Sequence, residues 1–357
     1  MEINKYFRMM VEKNASDLFC RPAAKVAMRI DGEVVYLEDR ILSSEEISQI
    51  IGDLLDKKQK RILEENKDVE VSYLSEELNA CFRISIFIQK GLPSLVVRNL
   101  SQKIRSFEEL NLPGEVLKRL CAEKRGLVLL VGSAGSGKST TIASMIEYMN
   151  SNFHRHILTI EEPIEFDFQD KNCVINQRQL GTDVSSYQSA LKAFTLQSPD
   201  VIYIGNIRDY ETMSAALTAA ETGVLVLSTL HTINASQTIE RIVNFFPPYQ
   251  HTEIRHRISY LLKGVISLRL IPRKDRLGRV PACEIMLLTP TISRLIREGK
   301  TEEILHFIEE DRISGMQSFT QALIDLVKKD LITEETAKDF SDSKEEFVLA
   351  LKGIKKV

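Results

Sequence analysis

A chain of 357 residues is too long for one ordinary hydrophobic core, and 43% hydrophobic with 27% charged residues reads as a globular protein of two domains and a small appendix. A formal net charge of −3 argues against a nucleic-acid binder, which needs a basic excess to neutralise phosphates. The five cysteines form no Cys-x-x-Cys pair, which argues against a zinc module. In a chain whose start, Met1-Glu2-Ile3-Asn4-Lys5, has no apolar signal region, they predict reduced thiols in the cytosol.

Residues 1–100 predict a small α+β domain. Ile3, Phe7, Met10 and Val11 recur at helical spacing over 3–13. Strands at 26–30 and 34–37 flank Asp31-Gly32, a hairpin turn signal. Ser43-Ser44-Glu45-Glu46 opens a helix expected to run to about Glu65, with Ile47, Ile50, Ile51, Leu54 and Leu55 on one stripe. Two more strands are expected, one with Phe82, Ile84, Ile86 and Ile88 alternating along it. Residues 101–115 read as a linker from Ser101-Gln102-Lys103 to Pro113-Gly114. Over 116–290 short apolar strands (127–131, 156–160, 201–204, 224–228) alternate with longer helical stretches, the pattern of a parallel sheet covered by helices. Residues 291–357 read as helical, and the lysine-rich end from Lys352 to Lys356 as solvated. The longest apolar runs, such as 127–131, are far too short to cross a bilayer.

The strongest chemical signal is Gly132-Ser133-Ala134-Gly135-Ser136-Gly137-Lys138-Ser139, with Thr140 after it. It fits G-x-x-x-x-G-K-[ST] between a buried strand and a helix carrying Ile142, Met145 and Ile146. Glycines let backbone N–H groups turn in on phosphates, and the helix N-terminus adds its positive end. Lys138 is expected on the β- and γ-phosphates of ATP, and the Ser139 hydroxyl on Mg²⁺. Two strand ends can bring carboxylates to this site: Ile160-Glu161-Glu162-Pro163-Ile164-Glu165-Phe166, and Ile204-Gly205-Asn206-Ile207-Arg208-Asp209.

Together with Pro199-Asp200-Val201-Ile202, Ala219-Ala220-Glu221-Thr222-Gly223 and Thr229-Leu230-His231-Thr232, these segments resemble the secretion-type hexameric ATPases. Within them the resemblance is to the type IV pilus retraction ATPases of the PilT and PilU kind. The PilU side is favoured by Met9-Met10-Val11-Glu12-Lys13, by Ile242-Val243-Asn244-Phe245-Phe246-Pro247 and by Gly315-Met316-Gln317-Ser318-Phe319. The resemblance implies an α/β chain: an N-terminal PAS-like domain, a C-terminal RecA-like ATPase domain and a helical tail, assembled as a homo-hexamer. It implies catalytic roles for Glu165, Glu162 and His231, and arginines at Arg83 and Arg98 reaching the phosphates. It implies work in pilus retraction and twitching motility, in the cytoplasm and peripheral at the inner membrane, with a pilus platform protein and a PilT-like ATPase as partners. Neither nucleic acid nor zinc is expected.

Three positions depart from the family pattern. Asn206 stands where the Walker B glutamate is usual, Val224 replaces the first histidine of the His box, and Glu162 replaces an aspartate. An amide cannot take a proton at neutral pH, so Asn206 predicts hydrolysis slowed by roughly 10²–10⁴-fold if that carboxylate is the base. Val224 reads as an apolar residue extending the strand. Two functions follow: a working motor, or a largely non-hydrolysing nucleotide-binding partner of a separate retraction ATPase. A helicase is the third reading, disfavoured by the acidity and by the lack of an aromatic-basic stripe.

Overall fold

The computed structural model describes residues 3–354 apart from 31–32, 79, 101–103, 195 and 276–277. The chain divides into one unit of Met1–Lys103 with Pro163–Asp167, and a second of Ile104–Glu162 with Phe168–Val357.

The first unit runs α1 (Ile3–Glu12), β1 (Asp17–Cys20), β2 (Ala24–Ile30), β3 (Glu33–Leu42), α2 (Ser44–Leu54), α3 (Lys57–Asn66), β4 (Asp68–Ser75), β5 (Ala80–Gln89) and β6 (Leu92–Asn99). Its sheet has the order β3-β2-β1-β6-β5-β4, and every neighbouring pair is antiparallel. Helix α1 buries Ile3, Tyr6, Phe7 and Met10, and Phe7 stacks on Phe82 of β5 with ring centroids 4.3 Å apart. β2 and β3 pair through Ile30 and Glu33, while the expected turn residues Asp31-Gly32 lie outside the described residues. The single helix expected from Ser43 to Glu65 is two. Asp56 ends the first by capping the second: its side chain accepts from Gln59 N, and Gln59 Oε1 in turn accepts from Asp56 N. Three strands follow, not two, because Asp68–Ser75 pairs along its whole length with β5.

The second unit continues with α4 (Gly114–Ala122), β7 (Gly126–Val131), α5 (Lys138–Asn152), β8 (His156–Glu161), β9 (Val174–Gln179), α6 (Tyr187–Phe194), β10 (Val201–Ile204), α7 (Tyr210–Glu221), β11 (Leu225–Leu230), α8 (Ala235–Asn244), α9 (His251–Leu261), β12 (Leu262–Pro272) and β13 (Arg279–Leu287). The sheet order is β13-β12-β7-β11-β10-β8-β9, parallel except for the β12–β13 pair. β7, β10 and β11 are buried at every position, and β7 and β10 accordingly read as unbroken apolar runs, while β11 also carries Ser228 and Thr229. The tail is helical, as expected: α10 (Pro290–Glu298), α11 (Ile304–Glu310), α12 (Phe319–Lys328), α13 (Glu334–Phe340) and α14 (Lys344–Leu351). Phe319 and Leu323 of α12 pack with Ile271 of β12 and Val280 of β13. All five cysteines are buried, and none forms a disulfide.

Candidate active site at the phosphate loop

β7 delivers the chain to Gly132 at the carboxyl edge of the sheet, and α5 leaves from Lys138. Between them the loop needs glycine. Gly132 has φ 145°, and a Cβ there would fall 2.5 Å from Ser136 Oγ and 2.6 Å from Leu268 O. Gly137 caps α5 in the left-handed region at φ 96°. Lys138 is buried, and its ammonium donates to Gly132 O at 2.7 Å and Ser133 O at 2.8 Å, so the cation lies inside the loop's curve. Ser139 and Thr140 begin the helix, half-buried.

β10 and β11 end beside each other and carry the next residues. Thr229 Oγ1 donates to Gly205 O at 2.7 Å, and Ile207 N to Thr229 O at 3.1 Å, which pins the turn holding Asn206 to the end of β11. Asn206 Nδ2 then lies 3.2 Å from His231 Nε2, a bond that requires a neutral imidazole protonated on Nδ1. Burial, with Lys138 and Arg208 next in order, holds the His231 imidazole below its ordinary range and keeps it neutral. Asp209 caps α7 through Thr212 N.

Glu162 is exposed and lies 3.3 Å from Arg208. Its neighbour Glu161, given no role of its own by the sequence, is the buried carboxylate of the pair, accepting from Thr159 Oγ1 at 2.7 Å and Gln177 Nε2 at 3.1 Å. Tyr187 was also missed. Its hydroxyl is buried without a partner among the described residues, and burial, then Glu162, pushes the phenol up to about 12. A tyrosine on a short amphipathic helix gives no local sign of such surroundings.

The remaining expected residues lie on other elements. Glu165 is half-buried on Pro163–Asp167, which belongs to the first unit. So do Arg83 and Arg98, where Arg83 pairs with Glu70 at 2.7 Å and Arg98 with Asp17 at 3.0 Å. Val224 precedes β11, and its carbonyl accepts from Gly126 N. It therefore sits at the opposite end of that strand from His231, roughly 20 Å away at the usual rise per residue.

Two atoms test whether these residues suit a nucleotide and its metal ion. Asn206 Oδ1 and Ser136 Oγ are both buried without a hydrogen-bond partner among the described residues. A buried polar atom left so costs about 1–3 kcal/mol, which a ligand donor or acceptor would recover. A carbonyl-type oxygen suits the waters of a hydrated cation, and a hydroxyl inside the loop suits a phosphate oxygen. The residues fit.

A glycine-lined cradle with a buried lysine, at the carboxyl edge of a parallel sheet, makes this chain a P-loop ATPase. Residues 1–338 match the model of the type II/IV secretion system protein family, and the chain belongs to that family. It is 40% identical over 352 residues to the type IV pilus ATPase PilU of Pseudomonas aeruginosa, spanning 99% of this chain and 92% of that protein. To the type IV pilus retraction ATPase PilT of the same organism it is 39% identical over 347 residues, 97% of this chain and all of that protein. The crystal structure of the pilus retraction motor PilT with bound ADP superposes with a TM-score of 0.89 at 40% identity, covering 96% of this chain and 98% of that one. No helix among the described residues is long and apolar enough to cross a membrane.

Proposed function

We propose that this chain is an ATP-binding motor subunit of type IV pilus retraction and twitching motility, a homo-hexamer at the inner-membrane pilus machinery whose own hydrolysis is slow. The similarity to PilU and PilT supports the pilus assignment. The observation that carries the slow hydrolysis is Asn206, an amide buried against His231 at the end of β10.

The loop amides and Lys138 would hold the phosphates, and the Ser139 hydroxyl would hold a magnesium ion, which when bound would supply positive charge to the phosphate chain. Asn206 Oδ1 accepts a hydrogen bond from a water and orients it, but takes no proton from it. His231 is engaged at Nε2 by Asn206 and leaves that nitrogen unable to serve as base. The family resemblance makes Glu165 the residue that would take the proton. Arg83 and Arg98 supply positive charge to the γ-phosphate.

Phosphate release by the purified full-length chain, alone and mixed with a PilT-like ATPase, tests this. Slow release alone and stimulation in the mixture are expected. Fast release by this chain alone would sink the slow-motor reading. Asn206→Glu is expected to raise the rate, and no gain would place the limit elsewhere.

A further inference from the structure

Glu284 of β13 is a buried carboxylate outside the chemistry just described. It is 4% exposed and lies in register with Ser267 of β12, which is itself in register with Val131, the last residue before the phosphate loop. Glu284 Oε1 accepts from Ser267 Oγ at 3.1 Å and from the backbone N–H of Ala235 at 2.7 Å. Ala235 is the first residue of α8, where the backbone N–H groups have no partner within the helix and a negative charge is favoured.

α8 is the helix that follows His231. Thr232 Oγ1 lies 2.6 Å from Thr238 Oγ1 in its first turn, and Thr238 Oγ1 also lies 2.7 Å from Asn234 O. Asn234 already caps the helix by accepting from Gln237 N. Glu284 satisfies a different orphan donor of the same turn, Ala235 N. It adds a bond from a different element, and burial makes its charge expensive, pushing the carboxyl up to about 7. A group this costly, bonded to two separate elements, fits a tether better than packing.

We infer that Glu284 is a positioning residue: it ties the start of α8, and with it the loop that carries His231, to the strand row that ends at the phosphate loop. His231 and the phosphate cradle are thereby kept at one spacing. The inference rests on the reading that places His231 in the active site.

Hydrogen–deuterium exchange on the full-length chain tests it, with binding of a fluorescent ATP analogue and phosphate release measured in parallel. Glu284→Ala is expected to speed exchange over residues 231–238 by about tenfold and leave 132–139 unchanged. Nucleotide affinity should stay within about threefold, while turnover number falls with little change in KM. Glu284→Gln keeps an acceptor oxygen and should restore both exchange and turnover. Unchanged exchange over 231–238 in Glu284→Ala overturns the tether, as does a Glu284→Gln variant as loose as Glu284→Ala. If Glu284→Ala does not fold, Ser267→Ala takes its place: it must loosen 231–238 where Glu284→Gln does not, and the reverse result overturns the inference. Loosening of 231–238 in Glu284→Ala, with no response of that segment to bound ATP in either protein, supports the tether and sinks the active-site reading of His231 instead.

Discussion

Arg83 and Arg98 face each other directly across β5 and β6, two cations in one cross-strand pair. Each has a carboxylate partner: Arg83 pairs with Glu70 at 2.7 Å, and Arg98 with the buried Asp17 at 3.0 Å, which Arg29 also approaches at 3.4 Å. Like charges placed opposite one another destabilise a sheet, and the two carboxylates offset that.

The pair separates function from stability. Removing Arg83 relieves a repulsion and breaks a partly exposed ion pair, so Arg83→Ala should leave the unfolding free energy within about 0.5 kcal/mol in a urea melt. If Arg83 reaches the γ-phosphate, ATP turnover should still fall by at least about tenfold. Unchanged turnover would remove Arg83 from the site.

Lys138→Ala should weaken binding of a fluorescent ATP analogue by at least about a hundredfold, because charge-assisted bonds to phosphate are lost with nothing to replace them. The same variant should retain the wild-type far-ultraviolet circular dichroism. Retained affinity would contradict the phosphate assignment of the loop.

Asn206→Glu places a carboxylate where the amide now meets His231, at 3.2 Å. An opposite charge at that distance favours imidazolium, so the depressed pKa of His231 should rise, followed by the ring proton shifts in NMR across pH 5–8. A titration indistinguishable from wild type would mean that the two side chains do not face each other in solution.

Stability should depend on pH in two opposite ways. Glu284 titrates near 7 in the folded chain against an ordinary 4.5, so its contribution is fullest below pH 4.5 and is lost as pH rises through about 7. His231 is depressed, so its contribution is present above pH 6.5 and lost as pH falls through its lower folded value. Glu284→Gln removes the first effect. Relative to wild type it should gain up to roughly 3 kcal/mol between pH 4.5 and 8 in chemical melts. A constant difference across that range would mean that Glu284 is not desolvated.

Local signals account for what the sequence revealed. The phosphate loop was legible because strand, glycines, lysine and helix follow one another without a gap, and β7 and β10 because burial on both faces makes them uninterrupted apolar runs. β9 was not, since Val174–Gln179 is an edge strand with polar residues along much of its length. The break at Leu55-Asp56 was hidden because Leu54 and Leu55 continue the apolar stripe while Asp56 caps a second helix. Glu284 sat unmarked because both its partners are distant in sequence. One carboxylate inside the apolar run Ala282-Cys283-Glu284-Ile285-Met286-Leu287 was the available sign.

The place of β7 in its sheet governs how the protein is made. β7 hydrogen-bonds to β11 on one side and β12 on the other, and both are synthesised long after it. A nascent chain that has not yet reached Leu262 carries an apolar strand with one edge bare, a template for pairing with a neighbour. The strand that leads into the phosphate loop is thus fully paired only after β12 has been synthesised. Products truncated before β12 should aggregate and fail to bind ATP.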